Sequence, residues 1–214
     1  MQHVSFSALK NWNQCPYYYK ITYVDKIKKF VGNHYTAFGT AVHEVCEKRI
    51  EDDSITNEPE LFELAFLKEL KSLPEEVRST FKPKDISDMR EQGKRLSTVA
   101  IPALREHFGE FELVSTEEDI YESIEGFEDY NFKGFIDLII KTPDGKFHVI
   151  DWKTCSWGWN MQRKSDPMTT YQLTYYKHYY SRKHSVPMED IETHFGLLKR
   201  TAKKDQVEIF RVTS

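Results

Sequence analysis

Cysteine and long apolar segments are both scarce in this chain of 214 residues. Its three cysteines, Cys15, Cys46 and Cys155, are widely separated and form no Cys-x-x-Cys pair, so they suggest neither a disulfide framework nor a zinc site. No apolar run approaches the roughly 20 residues that a membrane span needs, and no charged-then-apolar leader indicates a signal peptide. We therefore expect a cytoplasmic protein that does not enter a membrane.

Positive charge is not in excess either, because the formal net charge is −4. This balance argues against nonspecific binding of nucleic acid across the whole surface. Two local basic patches, Lys26-Ile27-Lys28-Lys29 and Lys199 to Lys204, remain candidates for contact with a polyanion. Each patch is also interpretable as an ordinary solvated loop.

The stretch from Gly134 to Thr154 predicts a β-hairpin. Two runs rich in β-branched and aromatic residues flank a central Thr-Pro-Asp-Gly-Lys segment at 142–146. Pro-Asp-Gly suits a three-residue loop, in which a type I turn is followed by Gly145 in the left-handed conformation as a bulge. The loop length matters because it fixes which residues face each other across the two strands.

Three charged residues interrupt the apolar runs of this hairpin, and the predicted register brings them together. With a three-residue loop, Thr142 faces Lys146 and Asp137 faces Asp151. Lys153 projects to the same side as Asp151, since residues two apart in a strand share a face. Turn chemistry thus predicts two carboxylates and one ammonium group on a single face of a sheet.

Such a cluster suits hydrolysis of phosphodiester bonds with a divalent metal. Mg²⁺ takes oxygen ligands, usually one or two carboxylates with phosphate and water, so Asp137 and Asp151 are candidate ligands. A nearby lysine can orient the water or stabilise the transition state, which is the role we expect for Lys153. The alternative is that the two aspartates lie at strand ends and Lys153 pairs with one of them at the surface.

The hairpin resembles the core motif of the PD-(D/E)xK nuclease superfamily. The first part of the motif is Gly134-x-x-Asp137. The second part is Asp151-x-Lys153-Thr154, which two hydrophobic residues precede and in which Asp151 lies fourteen residues after Asp137. Three further segments resemble the RecB-like exonuclease branch of that superfamily and occur in its order. They are Ser5 to Leu9 with Cys15 to Tyr19, Phe38 to His43, and Gln172 to Tyr176.

The resemblance implies an α/β fold with a restriction-endonuclease-like core, in which a central mixed β-sheet is flanked by α-helices. We expect a single domain over residues 1–214, with a helical insertion at about 55–110. Helical spacing predicts helices at 58–70 and 85–108 within it, joined by a loop at 72–84. These helices either shape a channel for DNA or simply pack against the core.

The resemblance also implies that His43 binds metal. The chain predicts a helix from Thr36 to about Asp52, in which Gly39 lies one turn from His43 and leaves room beside the imidazole. A histidine on a helix is usually structural, but the motif context favours ligation. The implied ligands of Mg²⁺ or Mn²⁺ are His43, Asp137, Asp151 and the backbone carbonyl of Trp152.

Side chains after the hairpin are implied to handle the substrate. Gln172 and Tyr176 share one face of a helix that Asp166 caps and Pro167 opens, so their amide and phenol can reach a phosphate or the catalytic lysine Lys153. Without the hairpin before it, this would be read as an ordinary polar-aromatic pair.

The irregular stretch 155–165 carries aromatic and cationic residues, which suit contact with nucleic-acid strands. The candidates there are Trp157, Arg163 and Lys164, beside Trp159. A hydrophobic lid on the core explains them nearly as well. Alternating residues at 194–200 and 206–212 then predict a second hairpin that extends the sheet.

An acidic residue before the hairpin is a further candidate for the site. The chain predicts a strand from Glu112 to Tyr121 and a turn at 123–129, and Glu118 lies where relatives often have a glutamate. It is either an additional ligand or a group that contacts a ligand or, as the pattern favours, part of a solvated sheet edge.

Some members of this branch carry an iron–sulfur cluster held by four cysteines, the first near the position of Cys15. The carboxy-terminal cysteine trio of those proteins is absent here, and four thiolates are normally required, so we expect no iron–sulfur cluster. We expect Cys15 to be buried or to cap a helix.

The family resemblance implies a metal-dependent DNA exonuclease that acts at DNA ends in recombination, repair or replication. No Gly-x-x-x-x-Gly-Lys-Ser/Thr loop is present, so ATP-driven unwinding would require a separate helicase or recombination partner. Two alternatives remain: a non-catalytic nucleic-acid-binding subunit, and an RNA-directed nuclease or structure-specific endonuclease.

Overall fold

A computed structural model describes residues 2–27 and 31–213, so Lys28 and Lys29 of the first basic patch lie outside the described residues. The strands are β1 (Gln2–Ser5), β2 (Glu112–Ile124), β3 (Phe127–Lys141), β4 (Phe147–Cys155), β5 (Ile191–Lys199) and β6 (Val207–Val212). The helices are α1 (Phe6–Gln14), α2 (Pro16–Tyr19), α3 (His34–Glu51), α4 (Glu58–Ser72), α5 (Glu75–Arg78), α6 (Pro83–Phe108), α7 (Met161–Ser165) and α8 (Pro167–His184). A π-helical turn (Lys20–Val24) follows α2, and a 3₁₀ turn (Met188–Asp190) precedes β5.

The strands form one mixed sheet within the described residues, as the fold class predicted. Its order is β1-β3-β4-β5-β6, with β2 also paired to β3. The β1–β3 and β4–β5 pairs are parallel, while the β2–β3, β3–β4 and β5–β6 pairs are antiparallel. The two antiparallel hairpins β3–β4 and β5–β6 are therefore joined side by side through a parallel β4–β5 pair.

A gap in pairing interrupts one edge of β3. The strand β2 pairs along nearly the whole of β3, so β1 and β4 must share the opposite edge. There β1 pairs with 130–133 and β4 pairs with 138–141. The residues between them, 134–137, have no ladder partner on that edge, and Asp137 lies at the end of this gap.

Two apolar layers cover the two faces of the sheet. On one face α3, α4 and α6 pack through Phe38, Val42, Phe62, Leu96 and Leu104, all nearly inaccessible to solvent. On the other face α8 packs through Leu173, Tyr176, Tyr179 and Tyr180. Each face buries apolar area that stabilises the fold by roughly 25 cal/mol per Å², and the sheet is held between helices, as the resemblance implied.

Several predicted boundaries were wrong, in most cases because an element continues further than its local signals suggest. The segment 72–84, predicted as a loop, contains the helix α5, and α6 already begins at Pro83. The turn predicted at 123–129 is tighter, since β2 runs to Ile124 and β3 begins at Phe127. The stretch 155–165, predicted to be irregular, contains α7.

The amino-terminal helices begin at the residues that can cap them. Ser5 accepts a hydrogen bond from the backbone amide of Ala8, and Cys15 accepts one from Tyr18 ahead of Pro16. Cys15 is exposed and acts as a cap, so of its two predicted environments the capping one is observed. Within residues 2–27 and 31–213, no helix has the length and apolar character needed to span a bilayer.

Candidate active site

The turn of the β3–β4 hairpin has the predicted geometry. Gly145 has φ +87°, its amide donates to the Thr142 carbonyl at 2.9 Å, and the Thr142 amide donates to the Lys146 carbonyl at 3.0 Å. The ladder then runs from Lys141–Phe147 to Leu138–Ile150. The next step along this register brings Asp137 opposite Asp151, as the three-residue loop predicted.

At that step the side chain of Asp137 takes the place of a backbone hydrogen-bond acceptor for β4. Its Oδ2 accepts a hydrogen bond of 2.7 Å from the backbone amide of Trp152. The same oxygen lies 3.6 Å from Nδ1 of His43, which projects from α3. One side chain therefore links the two strands of the hairpin to the helix above them.

Asp151 is bound from two directions. Its Oδ2 lies 2.5 Å from Nζ of Lys153, and its Oδ1 accepts a hydrogen bond of 3.0 Å from Nε2 of Gln172. Gln172 Nε2 also donates to the hydroxyl of Tyr176 at 3.0 Å, because an amide nitrogen carries two protons. The helix α8 thus fixes the orientation of a carboxylate that is 1% exposed.

The tyrosine explains why the motif begins with glycine. A Cβ at Gly134 would lie 2.7 Å from Cε1 of Tyr176, so the ring rests directly on the backbone of β3. Gly134 lies inside the gap where β3 lacks a described strand partner on the edge that β1 and β4 share. Tyr176 therefore occupies part of the space that a neighbouring strand would fill.

Burial shifts the pKa values of the titratable groups in this cluster. Burial raises the pKa of both Asp137 and Asp151 to about 6, although Lys153 acts against the rise. Burial also lowers the pKa of His43 to about 4, with the Lys153 ammonium acting in the same direction. Burial disfavours the Lys153 ammonium as well, but Asp151 and Asp137 outweigh it and raise its pKa.

These residues fit a divalent cation. The donor set consists of one imidazole nitrogen and several carboxylate oxygens. The imidazole is neutral, and the protein does not fully balance the negative charge of the two carboxylates. Oxygen-rich sets suit Mg²⁺ and Mn²⁺, and the imidazole nitrogen is compatible with Mn²⁺. The carbonyl of Trp152 belongs to the residue whose amide already binds Asp137, so it lies on the same short segment of β4.

Two glutamates that the sequence analysis did not select border the same place. His43, Glu47, Thr116, Glu117 and Asp137 all line one small cavity. Burial raises the pKa of Glu117, and the charges of Asp137 and Asp151 raise it further. The signal for Glu47 was available, because it follows His43 by four residues and so shares its helix face.

Glu118, the residue that the sequence analysis named instead, points elsewhere. Its Oε1 lies 2.8 Å from Nζ of Lys183 and 2.7 Å from Nε2 of His184, both at the end of α8. It therefore joins β2, which pairs only with β3 among the described strands, to α8 and points away from the ligand candidates of this site. Adjacent strand residues project to opposite sides, so Glu117 takes the position toward the cavity.

The pair of adjacent glutamates gives a matched test. We expect Glu117→Gln to weaken binding of Mn²⁺ by about 10-fold, as substitutions bordering a metal site commonly do. Glu118→Gln should leave the affinity unchanged, because its partners are on α8. Isothermal titration calorimetry of both variants measures this, and a larger loss in Glu118→Gln would contradict the assignment.

The residues predicted to contact the substrate in the loop after β4 differ in their exposure to solvent. Trp157 is 76% exposed, and the Arg163 guanidinium lies 4.5 Å from the centroid of the Trp159 ring. Trp159 itself is buried against Phe195, so the lid interpretation applies to it. Lys164 is ion-paired with Glu208 on β6. Trp157 and Arg163 are thus the more accessible members of this group.

An open cleft adjoins this loop. Lys10 of α1, Trp159, Asn160 and Arg163 contribute to its lining, together with Thr169 near the start of α8. In the second basic patch, the Lys203 and Lys204 side chains are exposed, whereas Lys199 lies 3.7 Å from Glu208.

Comparison with known proteins identifies the class to which this fold and site belong. The model of the PD-(D/E)XK nuclease superfamily matches residues 3–212. The chain therefore belongs to the PD-(D/E)XK nuclease superfamily, whose members hydrolyse phosphodiester bonds of nucleic acids and generally use divalent metal ions. The match confirms the resemblance at the level of the superfamily.

Among solved structures, a crystal structure named "Putative exonuclease" from Eubacterium rectale aligns with a TM-score of 0.64 at 10% identity, covering 100% of this chain and 73% of the other. At that identity the likeness concerns the fold. A structure of the protein named SSO0001 aligns with a TM-score of 0.37 at 18% identity, covering 81% of this chain and 76% of the other. A comparison with curated proteins finds no match.

Proposed function

We propose that this protein is a metal-dependent deoxyribonuclease that hydrolyses phosphodiester bonds from DNA ends. The observation that carries the proposal is the convergence of His43, Asp137, Asp151 and Lys153 at the pairing gap of β3. The imidazole and the first carboxylate lie 3.6 Å apart, and the ammonium lies 2.5 Å from the second carboxylate. Superfamily membership supplies the reaction class.

Each residue of the cluster has a proposed role. Bound Mg²⁺ or Mn²⁺ would activate water and neutralise charge on the phosphate. His43, Asp137, Asp151 and the carbonyl of Trp152 would hold the ion. Lys153, held by Asp151, orients the attacking water and stabilises charge that develops on the phosphoryl oxygens.

The helix α8 prepares the site for catalysis. Gln172 holds Oδ1 of Asp151 and the Tyr176 hydroxyl through one nitrogen, so it fixes the carboxylate before substrate arrives. We propose that Gln172 and Tyr176 also position the scissile phosphate, because their polar groups border the gap. Exposed Trp157 and Arg163, with Lys164 after release from Glu208, are proposed to contact the DNA strand by stacking and charge.

We also propose the extent of the domain and its role in the cell. We propose a single nuclease domain over residues 1–214, including a helical insertion at about 55–110, that works in the cytoplasm in DNA recombination, repair or replication. The name of the Eubacterium rectale protein supports action on ends. Any ATP-driven unwinding of the DNA would come from a separate helicase or recombination partner, since the sequence has no Gly-x-x-x-x-Gly-Lys-Ser/Thr loop.

The decisive assay compares linear DNA with a covalently closed circle of the same sequence. With Mg²⁺ or Mn²⁺ we expect linear single- or double-stranded DNA to be degraded, the circle to stay intact, and a chelator to stop the reaction. Cleavage of the circle would support the endonuclease alternative, and preferred cleavage of matching RNA would move the substrate to RNA. A folded protein that cleaves none of these with either metal would support the non-catalytic alternative.

A further inference from the structure

A second group of metal-ligating side chains lies on the strands β4 and β5. Nδ1 of His148 is 3.1 Å from Nε2 of His194 and 3.7 Å from Oε2 of Glu192. Oε2 of Glu192 is 3.9 Å from Nε2 of His194. Both histidines are buried, at 7% and 3% exposure, and none of the three residues belongs to the candidate active site.

The parallel pairing of β4 and β5 creates this group. His148 is directly opposite Glu192, and His194 is opposite Ile150. Residues two apart in a strand share a face, so Glu192 and His194 project to the same side as their opposite partners. The three side chains therefore converge from two strands without any bulge or loop, which gives them a rigid framework.

We propose that His148, Glu192 and His194 bind a transition-metal ion, for which Zn²⁺ is the best match. Two imidazole nitrogens and one carboxylate oxygen form a donor set that Zn²⁺ accepts, with a fourth position open to water. Three donors that each lie about 2.1 Å from a tetrahedral ion are about 3.4 Å from one another. The observed separations of 3.1, 3.7 and 3.9 Å are close to that spacing.

Neighbouring groups orient two of the three donors, whereas the second ring nitrogen of His194, Nδ1, is buried without a hydrogen-bond partner among the described residues. Nε2 of His148 contacts the hydroxyl of Thr142 at 2.9 Å, and that hydroxyl is itself bound to Asp144, so Nδ1 is the nitrogen left facing the group. Oε1 of Glu192 accepts from Arg211 at 2.8 Å, which leaves Oε2 for the ion. Such outer contacts commonly orient metal-ligating side chains.

The location places the ion between two strands and beneath the end of α6. The ring of Phe108, the last residue of α6, lies 4.8 Å from the His148 ring and 5.0 Å from the His194 ring, so the helix covers the group. His148 is also three residues before Asp151 on β4. An ion there would join the base of the hairpin to β5 and stabilise the strand that carries the proposed catalytic aspartate.

The test uses the full chain with Asp137→Asn and Asp151→Asn, which disables the other proposed metal site. After treatment with a chelator and dialysis, we expect this protein to bind one equivalent of Co²⁺ with the visible absorption of tetrahedral coordination, and Zn²⁺ to displace it. Adding Glu192→Gln or His194→Asn should lower the affinity at least about 100-fold. His3→Asn, which removes an exposed imidazole on β1, is the matched control and should bind normally.

Thermal unfolding supplies a second readout. Zn²⁺ should raise the midpoint of the double variant and leave that of the Glu192→Gln protein unchanged. The proposal fails if the double variant takes up no Co²⁺, or if Glu192→Gln and His194→Asn bind as tightly as it does. The first outcome would mean that the two imidazoles are joined by a hydrogen bond without an ion, and the second that the ion binds elsewhere; neither depends on the nuclease assignment.

Discussion

Asp151→Asn is expected to lower the rate of DNA cleavage by about 10³-fold or more, because it removes a charge that is proposed both to hold the metal ion and to hold the Lys153 ammonium. The amide oxygen of asparagine can still accept the hydrogen bond from Gln172. Asp137 remains near Lys153, so the ammonium keeps a neighbouring negative charge. Initial rates on linear DNA, together with circular dichroism of the folded protein, measure the effect.

The matched control for this substitution is Asp88→Asn on α6. Its carboxylate is exposed and far from the hairpin in the chain, so we expect the rate of the unsubstituted protein. An Asp151→Asn protein that cleaves within about tenfold of that rate would show that the buried carboxylate is not part of the reaction centre.

Gly196→Ala is expected to destabilise the protein by about 3 kcal/mol, which is a large fraction of the stability of an ordinary domain. A Cβ at this position would lie 2.3 Å from Cε3 and 2.4 Å from Cζ3 of Trp152. The indole is 3% exposed and packs in the layer beneath α3 and α6, so it has little room to withdraw. Urea denaturation followed by circular dichroism gives the change in the free energy of unfolding.

Gly39→Ala is the control, since the same methyl group there would meet Thr154 Oγ1 at 3.3 Å and would also favour the helix. It should change the free energy of unfolding far less than Gly196→Ala does. A double variant with Trp152→Leu should lose less stability than the sum of the two single changes, because the smaller side chain relieves the contact. Strict additivity would contradict the explanation.

The hairpin was predictable because its register is encoded locally. Pro143, Asp144 and Gly145 specify a loop of three residues, and the loop length determines which strand residues face each other. The observed ladder, from Lys141–Phe147 to Leu138–Ile150, has the predicted register, and its extension by one residue brings Asp137 level with Asp151. The two motif-based pairings with helices, His43 near Asp137 and Gln172 with Tyr176, depended on the family resemblance as well as on spacing.

Contacts between distant segments were not predictable from local signals. The parallel addition of β1 to β3 creates the gap beside Asp137, but four residues at 2–5 carry little strand signal of their own. The pair formed by His148 and His194 joins residues 46 positions apart, each of which reads as an isolated histidine in its strand. Neither feature could be inferred before the strand order of the sheet was known.

The glutamates of β2 lie close to backbone irregularities that sequence position does not reveal. The register with β3 shifts between Leu113 and Ser115, and Glu117 has φ +46°. Sequence position offered Glu118 as a candidate for the site, although the pattern favoured a solvated sheet edge, and its side chain contacts α8. Local propensity does not predict such a shift, because both glutamates lie in the same pattern of apolar and polar residues.

The register shift between Leu113 and Ser115 affects how this chain should be aligned with its relatives. Deleting or inserting one residue ahead of Thr116 would turn each following side chain to the other face of the strand, so the glutamate that lines the cavity beside Asp137 and the one that contacts α8 would exchange places. Homologues can therefore keep the same acidic environment while carrying the acid at a different count before Asp137. Superposed backbones, rather than counted letters, are needed to recognise the equivalent residue.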